Sequence, residues 1–144
     1  MKQEDTIRLL QECDVGTQMG YDSLLEVCDN VKDPGFKKRL ESTIAEHEAL
    51  KAEVQTVLNT SGAAGKSPNP IAKGMSWLKT NAELLANPTD GKVADLVIDG
   101  CNMGVKTICR DLNQYADADE TAKALAKKLI RCEESLAMDI RQYL

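Results

Sequence analysis

Aromatic residues are scarce in this chain of 144 residues, which has one tryptophan, three tyrosines and one phenylalanine. A β-sandwich or β-barrel usually fills its core with aromatic and β-branched side chains. The chain is rich instead in Ala, Leu, Lys, Glu and Gln, which favour helix. A chain of this length can bury one hydrophobic core. We therefore predict an all-α fold with a single domain over residues 1–144.

The chain also lacks an excess of basic residues, since 18 Lys and Arg stand against 23 Asp and Glu for a net charge of −5. Neutralising the phosphates of a nucleic acid requires a basic surface, so we expect no nucleic acid partner. No apolar run is long enough to span a membrane, and the N-terminal segment MKQEDTIRLLQE carries charges where a signal peptide is apolar. These features predict a cytoplasmic protein with no membrane contact.

The five cysteines are odd in number and form no Cys-x-x-Cys pair. A disulfide framework or a zinc ribbon would usually show paired spacing. In a reducing compartment, such cysteines are typically small buried hydrophobic residues. We therefore predict free thiols at Cys13, Cys28, Cys101, Cys109 and Cys132.

Four long segments carry an apolar residue at every third or fourth position, which is typical of helices packed in a bundle. The predicted helices span about residues 3–31, 34–59, 92–115 and 118–144. Asp33 is predicted to cap the second helix, and Pro34 is predicted to be its first residue. Because the connection between the first two helices is so short, they are expected to be antiparallel. Between the two hairpins we predict a long crossover over about 60–91, with a short extra helix at about 71–86 that contains Trp77.

Three segments, YDSLLEVCDNVKDPGFKKRL, IAEHEALKAEV and VADLVIDGCNMG, combine with this order of hairpin, crossover and hairpin. In these features the chain resembles the ferritin-like four-helix bundles, and in particular small uncharacterised bacterial domains of that group. Ferritin-like proteins typically hold two irons with a Glu and a Glu-x-x-His from each half of the bundle. The resemblance therefore implies a di-iron site at mid-length.

The di-iron ligand set is incomplete in this sequence. The position three residues before His47 holds Ile44 instead of Glu, and the position three residues after Glu133 holds Leu136 instead of His. We therefore expect no di-iron cofactor. The mid-length layer nevertheless contains four candidate metal ligands for iron or zinc, namely His47, Cys101, Cys132 and Glu133.

Two polar residues on the inward faces have competing interpretations. His47 is the only histidine, and it is either a metal or haem ligand or a core residue hydrogen-bonded to a neighbour such as Gln18. Asp14 is expected to be partly solvated near the helix end or bonded to Lys51 opposite it in the hairpin, since a buried unpaired carboxylate is costly. The alternative is that Asp14 is the remnant of a polar site.

Gly100 and Gly104 lie four residues apart on the inward face of the third predicted helix. Each glycine weakens a helix by about 1 kcal/mol relative to alanine, so a structural reason is expected. We predict close helix approach or room for a bulky neighbour such as Trp77. The alternative is a small-ligand or haem pocket lined by Cys101 and Met103.

No nucleophile–base pair, Gly-x-Ser-x-Gly motif or dinucleotide fingerprint is present, so an enzyme is not favoured. The sequence instead predicts a non-catalytic ferritin-like bundle that acts as a structural or protein-interaction module. We expect it to form a homo-oligomer, a dimer, with a further protein partner of unknown identity. The alternative is an atypical metal-binding or oxidative-stress protein with a site around His47 and the mid-bundle cysteines.

Overall fold

The computed structural model describes residues 2–64 and 88–144 and is all-helical there, with no β-strand in these two ranges. It contains four α-helices and a C-terminal 3₁₀ helix: α1 (Lys2–Cys28), α2 (Pro34–Thr60), α3 (Asp90–Gln114), α4 (Glu120–Asp139) and the 3₁₀ helix Ile140–Tyr143. The predicted all-α fold with four long helices is confirmed. The predicted short helix at about 71–86, with Trp77, lies outside the described residues.

Each of the last three α-helices begins at a side-chain cap. Asp33 accepts a hydrogen bond from the Phe36 N–H, and Thr89 caps α3 in the same way. Asp119 accepts from the Ala122 N–H, so α4 begins at Glu120 and not at residue 118. These caps satisfy backbone N–H groups that have no partner within the helix, which fixes where each helix begins.

The beginning of α3 lies beside the turn that joins α1 to α2. The Asp90 carboxylate accepts hydrogen bonds from the backbone N–H groups of Lys32, at 2.8 Å, and Asp33, at 2.9 Å. Tyr143, in the C-terminal 3₁₀ helix, reaches the same end and stacks on Phe36 with ring centroids 4.4 Å apart. Because α2 and α3 both begin at this end, they run parallel.

The opposite end of the bundle joins the beginning of α1 to the turn between α3 and α4. The Asp5 carboxylate accepts a hydrogen bond from the Asp117 N–H at 3.1 Å, and the Thr6 hydroxyl accepts one from the Asp119 N–H at 2.8 Å. Therefore α1 and α4 also run parallel, while the helices within each hairpin are antiparallel. α2 ends at the opposite end of the bundle from the one where α3 begins.

The core consists of two apolar clusters separated by a polar layer at mid-length. The cluster near the α1–α2 turn includes Leu24, Phe36, Leu40, Val93, Leu136 and Ile140. The cluster at the other end includes Leu9, Leu10, Val54, Leu58, Ala122 and Leu129. Between them lie four buried polar residues, Thr17, Thr43, His47 and Glu133. None of the described helices combines the length and apolar character needed to cross a membrane.

Candidate functional site

A cavity of about 450 Å³ lies between α1 and α3 near mid-length, with residues of α4 at its base. Pockets that hold small molecules usually measure about 300–1,000 Å³ and are lined mainly by apolar side chains. The apolar lining includes Val15, Met19, Val97, Met103, Ile108 and Leu129. The size and the lining are both those of a small-molecule site.

Four glycines border this cavity, Gly16 and Gly20 on α1 and Gly100 and Gly104 on α3. Because each pair is spaced by four residues, each lies along one face of its helix. A Cβ atom built on Gly104 would have its nearest neighbour, the Glu133 carboxyl group, 3.9 Å away, which is ordinary van der Waals contact. Close packing of Gly104 against a facing helix is therefore a wrong prediction, because this position faces the cavity. The predicted contact with Trp77 lies outside the described residues.

Gly20 has the opposite role, because it allows α1 to approach His47 closely. A Cβ atom at Gly20 would lie 2.5 Å from His47 Nε2 and 3.3 Å from Glu133 Oε1. No side chain larger than hydrogen fits at the first distance unless the imidazole ring moves. Sequence analysis missed Gly20, although Gly16 and Gly20 have the same spacing as Gly100 and Gly104.

His47 and Glu133 form a buried pair that holds a proton. His47 Nδ1 lies 2.9 Å from the Thr43 carbonyl oxygen, which can only accept, so Nδ1 carries a hydrogen. His47 Nε2 lies 2.5 Å from Glu133 Oε1, and two lone pairs at this distance need a proton between them. Burial lowers the pKa of His47, but the hydrogen bond and charge of Glu133 outweigh it, and the pKa is raised. The two groups therefore share one proton, and the pair carries no net charge.

The predicted hydrogen bond between His47 and Gln18 is wrong. Gln18 donates to Asp22 on its own helix at 2.8 Å, on a part-exposed side of α1. The imidazole is instead satisfied by its own helix and by α4. The predicted pair of Asp14 and Lys51 is confirmed, with 2.8 Å between Oδ1 and Nζ.

The two mid-bundle thiols lie next to carboxylates. The Cys132 thiol donates to Glu46 Oε2 at 3.1 Å, and its sulfur lies 3.8 Å from His47 Nδ1. Burial, followed by hydrogen bonding to Glu46, raises the pKa of Cys132. Burial and the charge of Glu133 raise the pKa of Cys101. Metal binding needs thiolates, which both environments disfavour.

The four predicted metal ligands therefore share one layer, but they do not surround a common point. Both ring nitrogens of His47 are already bonded, to Thr43 and to Glu133. In the ranges 2–64 and 88–144, no three or more His, Cys, Asp or Glu side chains are grouped so that they could hold a metal ion. An iron or zinc site at His47, Cys101, Cys132 and Glu133 stays a prediction that this geometry does not favour.

Comparisons with protein-family models, with curated proteins and with solved structures found no match to this chain. What the protein does is therefore inferred from the cavity and from the buried pair beside it.

Proposed function

We propose that this protein is a non-catalytic helical bundle that binds a small molecule in the cavity between α1 and α3. The observation that supports this proposal is a mainly apolar cavity of about 450 Å³ that is bordered by one buried carboxylate, Glu133. The cavity is open to solvent, and its lining residue Met103 is 52% exposed. A bound apolar molecule would remove this apolar lining from water, which is favourable.

The environment of His47 favours binding over catalysis. His47 is the only histidine of the chain, and its ring is held by Thr43 and Glu133 without lining the cavity. A general base must reach the proton that it removes from a substrate. His47 could do so only by leaving both partners, so the pair is better suited to presenting a fixed polar group to a ligand.

The helix directions support a ferritin-like topology for the bundle. The contacts of Asp90 with the α1–α2 turn make α2 and α3 parallel, and those of Asp5 and Thr6 make α1 and α4 parallel. Two antiparallel hairpins joined by one long crossover have these directions. The incomplete ligand set, at Ile44 and Leu136, separates this bundle from the two-iron members of that class. A homodimer, a protein partner and a cytoplasmic location stay predictions from the sequence.

The experiment that tests the proposed function fills the cavity from Gly104. In Gly104→Leu the new side chain enters the cavity, since no described residue outside its own helix comes closer than 3.9 Å to its first atom. Asn102→Leu is the matched control, because Asn102 is exposed on the same helix and does not line the cavity. N-phenyl-1-naphthylamine, a neutral probe that fluoresces in apolar surroundings, should bind the parent protein and Asn102→Leu at about one molecule per chain. Gly104→Leu should lose this binding.

Two results would contradict the proposal. Equal probe binding by all three proteins would place the probe elsewhere, and no binding by the parent would remove the evidence for a site. Circular dichroism of each variant shows whether the helical fold is retained. Thr107→Phe serves if the leucine variant does not fold, because Thr107 also lines the cavity and is exposed.

A further inference from the structure

Glu133 presents one carboxylate oxygen towards the cavity. Its Oε1 atom is bonded to His47, while Oε2 lies on the side of Gly104, where a Cβ atom would be 3.9 Å from it. Glu133 and Gly104 both line the cavity, whereas His47 does not. The imidazole ring is therefore hidden behind the Glu133 carboxyl group, and a molecule in the cavity meets a hydrogen-bond acceptor.

We propose that the cavity selects a neutral, largely apolar molecule with one hydroxyl or N–H group, which donates a hydrogen bond to Glu133. This inference rests on the proposed function, and it names the class of ligand. A carboxylate has about four lone-pair sites, so the bond to His47 leaves others for a ligand. The Cys101 thiol also lies within hydrogen-bonding range of Glu133, but a thiol is a weak donor.

Charged ligands of either sign are disfavoured. An anion or a cation would lose water on entering a mainly apolar cavity. Neither would gain much attraction in return, because the proton held between His47 and Glu133 leaves the pair without net charge.

The other charged lining residues lie away from Glu133 along the bundle. Arg110 is six residues beyond Gly104 on α3, and Glu12 is eight residues before Gly20 on α1. At 1.5 Å per helical residue these separations are about 9 and 12 Å. Because these two residues carry opposite charges, they favour neither a positive nor a negative ligand. Glu133 is therefore the polar group that determines which ligand binds.

The test uses three probes with one ring system: 2-naphthol, which carries a donor; 2-methylnaphthalene, which has a methyl group in its place; and the anion 2-naphthoate. Affinities are measured on the full chain by displacement of N-phenyl-1-naphthylamine. The variant His47→Leu/Glu133→Leu removes both buried polar groups together, so neither is left without a partner. Glu134→Leu is the control, because it introduces leucine at a neighbouring exposed glutamate that does not line the cavity.

The quantity that decides is the affinity for 2-naphthol divided by the affinity for 2-methylnaphthalene. A hydrogen bond to a charged group changes binding by about tenfold or more, so this ratio should fall by about that factor in the double variant. Glu134→Leu should keep the ratio of the parent protein. Because the double variant removes a pair without net charge, 2-naphthoate should bind both proteins more weakly than 2-naphthol binds the parent.

Failure of this inference is distinguishable from failure of the proposed function. If naphthol and methylnaphthalene both bind but the ratio is the same in the parent and the double variant, the cavity is a binding site and the role of Glu133 is refuted. The same conclusion follows if the parent binds naphthoate more tightly than naphthol. If the parent binds none of the three probes, both the inference and the proposed function are overturned.

Discussion

Gly20→Ala is the substitution that most directly tests how the polar layer is built. Its added methyl group would lie 2.5 Å from His47 Nε2 and 2.6 Å from Cδ2, well inside van der Waals contact. His47 cannot turn aside easily, since its ring is fully buried and is bonded to Thr43 and Glu133. Either α1 moves outwards or the buried pair is disturbed.

The expected magnitude follows from three contributions. Overpacking a core costs about 1–3 kcal/mol, and a buried polar group that loses its partner costs about 1–3 kcal/mol. The better helix propensity of alanine offsets at most about 1 kcal/mol. We therefore expect Gly20→Ala to lower the free energy of unfolding by about 1–4 kcal/mol.

Gly104→Ala is the matched control on the other side of the cavity. Its methyl group would have its nearest neighbour at 3.9 Å, so propensity alone should act. Stability should then rise by up to about 1 kcal/mol. Urea denaturation followed by circular dichroism measures both variants against the parent protein. A Gly20→Ala protein as stable as the parent would refute the close contact between Gly20 and His47. A clearly destabilised Gly104→Ala protein would refute the open space at Gly104.

Three further predictions concern pH, an ion pair and metal. The pKa of His47 is raised above its ordinary 6.5, so the stabilisation is complete below that pH and is lost as pH rises through the folded value. Urea denaturation across pH 5–9 should show this fall. His47→Leu/Glu133→Leu should flatten it, whereas His47→Leu alone would leave Glu133 buried without its partner. Lys51→Met should destabilise the protein by about 1–3 kcal/mol, because it leaves Asp14, which is only 5% exposed, without its partner. Lys128→Met, at the exposed pair with Glu53, should change stability by under about 1 kcal/mol. Equal effects of the two substitutions in thermal denaturation would contradict this prediction. Chelator should leave the melting temperature of untagged protein unchanged, and stoichiometric iron or zinc with a melt lowered by chelator would favour the metal-binding alternative.

The helices could be predicted from the sequence because their signals are local. A repeat of apolar residues every three or four positions marks the packed face, and Asp33 followed by Pro34 marks where α2 begins. The pairing of Asp14 with Lys51 could also be predicted, since a short turn fixes the register of the two helices in one hairpin. These predictions needed no knowledge of how one hairpin rotates against the other.

The partner of His47 did depend on that rotation, and the prediction of Gln18 failed there. Glu133 lies 86 residues further along the chain, and its carboxylate reaches the ring only because α4 presents that face to α2. The prediction of close packing at Gly104 failed for a related reason. A glycine on an inward face predicts equally a close neighbour or an open space, and only the position of the facing helix distinguishes the two.

Gly20 and Gly104 border the same cavity, but they have different structural roles. At Gly20 the missing side chain makes room for His47, while at Gly104 alanine would fit and would favour the helix. Packing therefore explains the first glycine and not the second. A buried ion pair is likewise weak evidence of a stabilising role, because well-packed apolar residues often replace such pairs without loss of stability. Gly104 and the Glu133 carboxyl group of the buried pair border the same cavity, and a bound molecule that fills the space and donates to Glu133 would account for both.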